Sequence, residues 1–475
     1  MWALRGFSTE NQYSADSSMK FWVLTIFACL LFWMQDSWGA LWLFLIFGGL
    51  GMGGVLLFCK GDGRKDSLQI GWIMTLVYVS YCFLKDIYCM YTGLRYIGSI
   101  DGLEYYLPCA MRLIDVGSLK DFFDIVNNEA LYHGGGWIWV YFVPVVKLAV
   151  DWLQVDPGLA VQMSLIPFAV WICVVVYHLL VAVEVPREDS YRYSLIFGTV
   201  TALFWLSSFI VRDLPINLAY AILIYLIFAN HSTIKKWIIG GICVAVAMSL
   251  RYASGIASVP LLLLALYGVR GNRFVRGLGV CCIVGCLLAS SFSAAWREEA
   301  EDVAETYLAI EMRDQSGNST LSSFNRLPWG LSHLAKTVYS QFHPFPAWRN
   351  MTAGSADLAY AYNVTKFPDI WCVFFRIMGL LILVWGMLDA KAREKLFQNT
   401  VLLYTVCYAV LLLLVQSMTI EERRKMSVYP AIFMLIVLFW QECPPETRKF
   451  LVFCTIGVFA ALQLLGFGRV LMTAL

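Results

Sequence analysis

Residues 158–183 read GLAVQMSLIPFAVWICVVVYHLLVAV, a run that contains no Asp, Glu, Lys or Arg and is long enough to cross the hydrocarbon core of a membrane. We identify fourteen apolar runs of this kind along the chain. Hydrophobic residues make up 60% of the 475 residues and charged residues only 14%, so the composition excludes a soluble protein. The runs are continuous rather than alternating, which favours helices over an outer-membrane barrel.

These runs predict an all-α fold, a polytopic transmembrane helical bundle that forms a single domain over residues 1–475. Clusters of Lys and Arg mark the cytoplasmic side of such a bundle, and they occur at residues 60–65, 235–236 and 270–276. A count of crossings forward from the N terminus and a count backward from residues 235–236 differ by one. The two counts agree if residues 134–153 do not span the membrane. That segment begins with three glycines and contains Pro144 and Lys147, so we expect about 13 spans.

Two long polar stretches then face the extracytoplasmic side, residues 92–157 and residues 297–368. The first contains the non-spanning segment and is expected to form re-entrant or juxtamembrane helices, and the second is rich in proline and aromatic residues. Together they are predicted to form a cap over one end of the bundle. The net charge of +2 gives no reason to expect nucleic acid as a partner.

Asp101 and Glu104 lie three residues apart just after an apolar run ends. One interpretation is a helix N-cap, with Asp101 as the capping residue and Glu104 as its reciprocal partner. The other is catalytic, because a carboxylate at this position could take a proton from an acceptor hydroxyl or hold a divalent cation, Mg²⁺ or Mn²⁺, against a phosphate. The spacing alone leaves both interpretations open.

Arg212, Asp213 and Arg251 are charged residues placed at the predicted outer ends of apolar runs. Arg212 and Asp213 could neutralise each other, and Arg251 could contact a lipid headgroup. Alternatively, the planar guanidinium groups bind a phosphate or carboxylate of a substrate.

A third basic group, Arg423, Arg424 and Lys425, lies between two late runs on the same predicted side. It departs from the positive-inside rule, so it indicates either a local inversion of topology or a site for an anionic lipid-linked group. His133 could line the same cavity, although a lone histidine beside a glycine turn is more often incidental. Because these charges share one predicted side, we expect an acidic site beside a basic, phosphate-binding site, which we call the phosphate cradle.

These motifs resemble those of the membrane glycosyltransferases of the GT-C superfamily, and they share features with O-antigen and exopolysaccharide polymerases. The resemblance rests on short matches, of which the first includes Tyr105 and Tyr106: Asp101-Gly102-Leu103-Glu104-Tyr105-Tyr106, the aromatic residues 134–152, Val211-Arg212-Asp213, Leu250-Arg251-Tyr252, and Arg423-Arg424-Lys425 with the residues that follow. They run in order through roughly residues 70 to 440.

The resemblance implies sugar transfer from a polyprenyl-phosphate-linked donor to a glycan or lipid acceptor, with inversion, in the assembly of envelope glycans. It implies Asp101 as base or cation ligand with Glu104 in support, and Arg251, Arg423 and Arg424 on the lipid phosphate. From their shared predicted side we add Arg212 and Lys425 to the phosphate-binding residues, and we expect Tyr105, Tyr106, His133 and Asp213 near the substrate. The resemblance also implies a multi-pass protein of the bacterial inner membrane, in contact with membrane lipid, whose active site faces the periplasm or exterior.

Two other functions use the same charges. A polysaccharide polymerase would bind two lipid-linked glycans through their diphosphates. A lipid-linked glycan flippase or a solute transporter would instead distribute charges along a path through the membrane, whereas a transferase keeps them at one end of the bundle.

Overall fold

A computed structural model describes residues 25, 38–59, 61, 63–93, 101–267, 327–348, 367–416 and 422–474. All secondary structure in these ranges is helical, which confirms the predicted all-α class for the described part of the chain. The helices are α1 (Trp38–Phe58), α2 (Arg64–Thr92), a π-helix (Asp101–Tyr106), α3 (Leu107–Leu113), α4 (Leu119–Asn128), α5 (Ala130–His133), a 3₁₀ turn (Gly136–Ile138), α6 (Trp139–Lys147), a second π-helix (Leu148–Leu153), α7 (Pro157–Ala182), α8 (Arg187–Val200), α9 (Leu203–Leu206), α10 (Asp213–Phe228), α11 (Thr233–Leu250), α12 (Tyr252–Tyr267), α13 (Trp329–Ser340), α14 (Pro368–Leu388), α15 (Ala390–Gln398), α16 (Thr400–Gln416), α17 (Glu422–Lys425), α18 (Tyr429–Glu442) and α19 (Pro445–Ala474).

Seven helical segments in the described ranges are long and apolar enough to cross a membrane, and the bent pair α15–α16 would make eight. The chain is therefore a multi-pass membrane protein by length and composition. Three shorter apolar helices, α10, α12 and α18, add to the bundle. The predicted runs at residues 277–296 and, except for Thr25, at 20–36 lie outside the described residues, so the count of about 13 spans stays a prediction.

The segment that we expected not to span meets the length and composition criteria for a span, because residues 136–153 form 18 residues of nearly continuous apolar helix. It is not one regular α-helix. It joins the 3₁₀ turn, α6 and the second π-helix, and it carries Pro144 inside α6. The juxtamembrane role predicted for it stays a prediction. Of the second predicted loop, only residues 327–348, 367 and 368 are described.

Helix α7 is the centre of the bundle and packs against α1, α2, α8 and α10. It is apolar on all faces and most of its side chains are buried, which is the pattern of a helix surrounded by other helices. Asp156 caps its start by accepting a hydrogen bond from the Leu159 amide at 2.7 Å, and Pro157 occupies the first turn. This helix fixes the positions of α2 and α10, whose ends carry the charged residues.

The polypeptide between α8 and α10 is irregular although it is buried. Residues 207–211 lie outside any helix and are at most 6% exposed. Buried irregular backbone needs hydrogen-bond partners from neighbouring elements. Lys85 on α2 supplies one, because its ammonium donates to the Ser208 carbonyl at 3.2 Å and to the Ser208 hydroxyl at 2.9 Å. The break ends at Arg212 and Asp213.

Residues 101–153 form a set of short helices that follow α2, and an aromatic cluster joins them. The Trp139 ring is fully buried and packs against the rings of Tyr105, Tyr106 and Tyr132. Its indole nitrogen donates to the Tyr132 carbonyl at 2.9 Å. The cluster holds the first π-helix, and with it Asp101, in a fixed position over the bundle.

The close approach of α1 and α7 can be tested at Gly54. The Trp171 indole donates to the Gly51 carbonyl at 2.8 Å, and a Cβ at Gly54 would lie 2.5 Å from the Trp171 ring. We expect Gly54→Ala to cost about 1–3 kcal/mol of stability through overpacking and to lower the thermal unfolding temperature in detergent. Gly53→Ala is the matched control, since no atom lies within 4 Å of that position. Equal unfolding temperatures for the two variants would contradict this packing.

Candidate functional site

The charged residues singled out in the sequence meet at one end of the helical bundle. Asp101 follows α2, Asp213 begins α10, Arg251 joins α11 to α12, and Arg423 and Arg424 lie on α17. These segments are far apart in sequence, yet side-chain contacts connect them. The structure therefore brings the predicted acidic and basic groups into one cluster, which we call the arginine cluster: Asp101, Arg212, Asp213, Arg251, Arg423 and Arg424.

Asp213 is the buried centre of the arginine cluster. Its side chain is 3% exposed and accepts a hydrogen bond from Arg251 at 3.1 Å. Arg251, Arg423, Arg424 and Arg212 all interact electrostatically with this carboxylate. An isolated carboxylate at such a depth would be very costly, so the arginines are what allow Asp213 to remain there.

Arg251 depends on Asp213 in turn. Burial lowers the pKa of the Arg251 guanidinium and the nearby Asp213 carboxylate raises it, with a net rise above the usual value. The pair thus holds a cation firmly at the α11–α12 junction. Arg251 follows directly after α11, where the backbone turns to extended geometry before α12 begins.

Asp101 makes a second ion pair, with Arg423 at 2.5 Å. The Asp101 side chain is 44% exposed and that of Arg423 is 14% exposed, so this pair lies nearer to the surface of the cluster than the first. The contact uses one carboxylate oxygen, Oδ2, and among the described residues no hydrogen bond to Oδ1 is formed. Asp101 is therefore oriented by an arginine while its side chain stays 44% exposed. The capping arrangement with Glu104 is not formed between described atoms.

Arg212 does not pair with its neighbour Asp213 through a hydrogen bond. Its Nη1 donates to the Leu250 carbonyl at 2.6 Å, at the C-terminal end of α11. That carbonyl belongs to the last turn of the helix, where partial negative charge favours a cation. Arg212 thus ties the start of α10 to the end of α11 and stays within the electrostatic reach of Asp213.

Arg424 and Lys425 complete the basic side of the site. Burial, with a further contribution from Arg251, lowers the pKa of Arg424 to about 10. The guanidinium still carries its charge at neutral pH, but its cationic form is less stable than in water, and a bound anion would relieve that cost. The Lys425 side chain is 1% exposed, so it lies below the surface of the cluster.

The other predicted residues lie around this cluster without joining its ion pairs. Glu104 is exposed and, among the described residues, forms no ion pair. Tyr106 is 5% exposed and Tyr105 half-buried, and both rings belong to the aromatic cluster around Trp139. His133 is exposed, and its Nε2 lies 2.9 Å from the Asn127 carbonyl. These positions place the tyrosines in support of the π-helix that carries Asp101.

Two residues of the site escaped the sequence analysis. Asn217 is 3% exposed and its amide lies 3.5 Å from the Arg423 carbonyl. It follows Asp213 by one helical turn in an otherwise apolar helix, and that spacing was the available signal. Gly136 has φ +58°, and a Cβ there would lie 2.6 Å from the Ser249 carbonyl oxygen. Only glycine lets this turn approach the end of α11 so closely.

The resemblance also implied Asp101 as a possible ligand of a divalent cation. Within the described ranges, no three His, Cys, Asp or Glu side chains gather in a group that could hold a metal ion. The charged partner of Asp101 among the described residues is the Arg423 guanidinium. The predicted Mg²⁺ or Mn²⁺ is not tested by these contacts, and we propose no step that uses a metal.

The buried pair Arg251–Asp213 makes a testable prediction about stability. Asp213→Asn removes the negative charge among four arginines, and we expect a loss of about 3–5 kcal/mol and a lower thermal unfolding temperature. Glu188→Gln is the control, because Glu188 pairs with Arg192 on the surface, where both side chains are more than half exposed. That variant should change stability by at most about 1 kcal/mol. Similar effects of the two substitutions would argue against a buried pair.

A comparison of this chain with protein-family models, with curated proteins and with solved structures found no match.

Proposed function

We propose that this chain is an integral membrane glycosyltransferase that moves a sugar from a polyprenyl-phosphate-linked donor to a glycan or lipid acceptor. The observation that carries the proposal is the arginine cluster with an accessible carboxylate at its edge. Four guanidinium groups from three parts of the chain surround one buried aspartate, and Asp101 is held beside them by Arg423. This combination suits a reaction that builds negative charge on a phosphate while a hydroxyl loses a proton.

The chemistry would run as a single displacement. The acceptor hydroxyl oxygen attacks the anomeric carbon of the donor sugar and forms the new glycosidic bond. The bond between that carbon and the phosphate oxygen breaks, and its electron pair stays on the phosphate. The hydroxyl proton passes to Oδ1 of Asp101 and then to water. A single displacement inverts the configuration at the anomeric carbon.

In this reaction the arginines would act on the leaving group. Arg212 and Arg424 would donate to phosphate oxygens, because planar guanidinium groups match tetrahedral anions with paired hydrogen bonds. Arg251 and Arg423 would orient the two carboxylates and add to the positive potential. The leaving phosphate gains charge as the bond breaks, so this potential stabilises the transition state more than the ground state.

The distribution of charge favours transfer over transport. In the described ranges the arginine cluster lies at one end of α2, α10, α11 and α18, and Lys85 lies about two turns from that end of α2. The opposite end carries the basic residues Arg64, Lys235 and Lys236, which the positive-inside rule assigns to the cytoplasm. The proposed active site would then face the periplasm or exterior of a bacterial inner membrane, in the assembly of envelope glycans.

The proposal is tested by turnover of purified protein with polyprenyl phosphate that carries a radiolabelled sugar. We expect Asp101→Asn to lower kcat by about 10²–10⁴, because a positioned base is lost. Glu104→Gln is the matched control, since Glu104 lies on the same π-helix, is exposed and makes no ion pair among the described residues. Both variants should unfold at the temperature of the wild-type protein.

Three results would contradict the proposal in different ways. Undiminished turnover by Asp101→Asn would exclude Asp101 as the base. No turnover with any polyprenyl-linked donor, combined with substrate uptake or lipid translocation in proteoliposomes, would identify a transporter or flippase. Turnover only with diphosphate-linked glycans would identify a polymerase.

Arg424 allows a separate test of the phosphate cradle. We expect Arg424→Gln to lower kcat/KM by about 10²–10³, since one donor to the leaving phosphate is removed. Arg424→Lys should recover only part of that loss, because a lysine keeps the charge but lacks the planar pair of donors. Arg192→Gln serves as the control for loss of a cation, as Arg192 is 55% exposed and pairs with Glu188 on the surface of α8. An unchanged kcat/KM in Arg424→Gln would remove this residue from the cradle.

A further inference from the structure

Two aromatic side chains of the short-helix region are exposed and face each other. Phe123 on α4 is 36% exposed, and Trp137 on the 3₁₀ turn is 42% exposed. Their ring centroids are 5.5 Å apart with the planes tilted by 51°. Phe123 lies outside the candidate spans, and Trp137 is the second residue of the apolar segment at residues 136–153, so the pair lies where that segment begins. Exposed aromatic rings bordered by polar residues indicate a binding surface.

A helix cap and buried neighbouring residues anchor the backbone that carries the two rings. Helix α4 is capped by Ser118, whose hydroxyl accepts from the Asp121 amide at 3.1 Å, and it buries Phe122 and Val126 one turn apart. Phe123 is therefore fixed at the edge of the buried stripe. Trp137 lies between Gly136 and Ile138, and Ile138 is 2% exposed. Both rings are thus presented by anchored backbone.

The surroundings of the two rings are polar. On α4, Lys120 precedes Phe123 by three residues and Asn127 follows it by four, so both lie on the same side of the helix as Phe123, and both are exposed. His133 approaches the Asn127 carbonyl, at 2.9 Å. Aromatic rings bordered by an ammonium and amide groups match the two surfaces of a sugar, whose C–H faces pack on rings and whose hydroxyls form hydrogen bonds.

This surface is connected to the arginine cluster through a few contacts. The 3₁₀ turn that carries Trp137 packs against α11. Within that turn, Gly136 approaches the carbonyls of Ser249 and Leu250, and the Leu250 carbonyl accepts the hydrogen bond from Arg212. On its other side, Gly134 approaches the Tyr105 hydroxyl on the π-helix of Asp101. The turn that carries Trp137 and the glycine that precedes it therefore approach the segments that hold Arg212 and Asp101.

We propose that Phe123 and Trp137 form an acceptor subsite, in which a sugar ring of the acceptor glycan stacks on the Trp137 indole and its hydroxyls bond to Lys120 and Asn127. The subsite rests on the proposed transferase function, because it names the acceptor of that reaction as a glycan. The donor is held through its phosphate at the arginines and through its lipid in the bilayer, whereas the acceptor glycan approaches from the aqueous side.

Charge argues against the bilayer as the occupant. The exposed surface of α4 carries Asp121 and Asp124, and Glu129 follows it. Three carboxylates are repelled by anionic headgroups and are costly to bring against acyl chains. Trp152 is 79% exposed at the opposite end of the same apolar segment, in a position expected of an interfacial aromatic residue. Trp137 differs from it by its ring contact with Phe123 on the acidic helix α4.

Photo-cross-linking tests the occupant directly. The full-length protein is made with p-benzoylphenylalanine in place of Phe123, or in place of Trp152 as the control, in cells that synthesise the glycan, and its membranes are irradiated. Mass spectrometry of the cross-linked peptides then identifies each adduct. We expect saccharide adducts without polyprenyl phosphate at position 123 and phospholipid adducts at position 152. Phospholipid at position 123, a saccharide that still carries polyprenyl phosphate, or no saccharide there would each overturn the acceptor subsite.

Kinetics give a second readout that a purely structural role would not produce. We expect Trp137→Ala to raise KM for the acceptor about tenfold while KM for the donor stays unchanged, and Trp137→Phe to restore most of the affinity. Trp152→Ala should leave both KM values unchanged. Equal rises in the two KM values for Trp137→Ala would overturn the subsite.

The two proposals can fail separately. Saccharide cross-links at position 123 together with undiminished turnover by Asp101→Asn would retain the subsite and reject the proposed base. Turnover that depends on Asp101, without any saccharide cross-link at position 123, would retain the proposed base and reject the subsite.

Discussion

The buried carboxylate of Asp213 is the constraint on which this end of the molecule depends. An ionised aspartate that is 3% exposed must be compensated, and the compensation comes from arginines on three separate segments. Satisfying that one group fixes the start of α10, the junction of α11 and α12, and α17 relative to one another. Through Arg423, the same requirement reaches Asp101 and the short helices that follow α2.

The two carboxylates of the arginine cluster are each neutralised by an ion pair, one buried and one nearer to the surface. The inner pair, Arg251 with Asp213, is buried and rigid, whereas the outer pair, Arg423 with Asp101, is open to solvent on the carboxylate side. Arg212 is anchored on a helix carbonyl rather than on a carboxylate. A site of this kind keeps its cations in place before any anion arrives, which is the preorganisation that charge-stabilising catalysis needs.

The two ends of the bundle differ in chemistry. At the end opposite the arginine cluster, contacts between α2 and α7 are short and polar: Ser67 lies 2.9 Å from His178, and Tyr177 donates to Asp66 at 2.7 Å. These contacts join two central helices and involve neither of the two ion pairs of the arginine cluster. The asymmetry agrees with a site at one end of the bundle, which is the arrangement that separates a transferase from a transport path.

The sequence by itself determined the class of the protein and the end of the bundle at which these charges meet. Apolar runs specify membrane helices because backbone polar groups must be satisfied within each segment, and basic clusters between runs assign the sides. Counting those runs placed Asp101, Arg212, Arg251 and Arg423 at one end, where the structure places them together. The pairing of these residues was decided only by tertiary structure.

Arg212 and Asp213 are neighbours in sequence, but neighbouring residues point in directions about 100° apart at a helix start, and each found a partner on α11 or beside it. Likewise, nothing in the spacing of residues 119–138 predicts that Phe123 and Trp137 meet. Their contact depends on how the short helices fold back on one another, and long-range packing of this kind leaves no periodic signal in the chain.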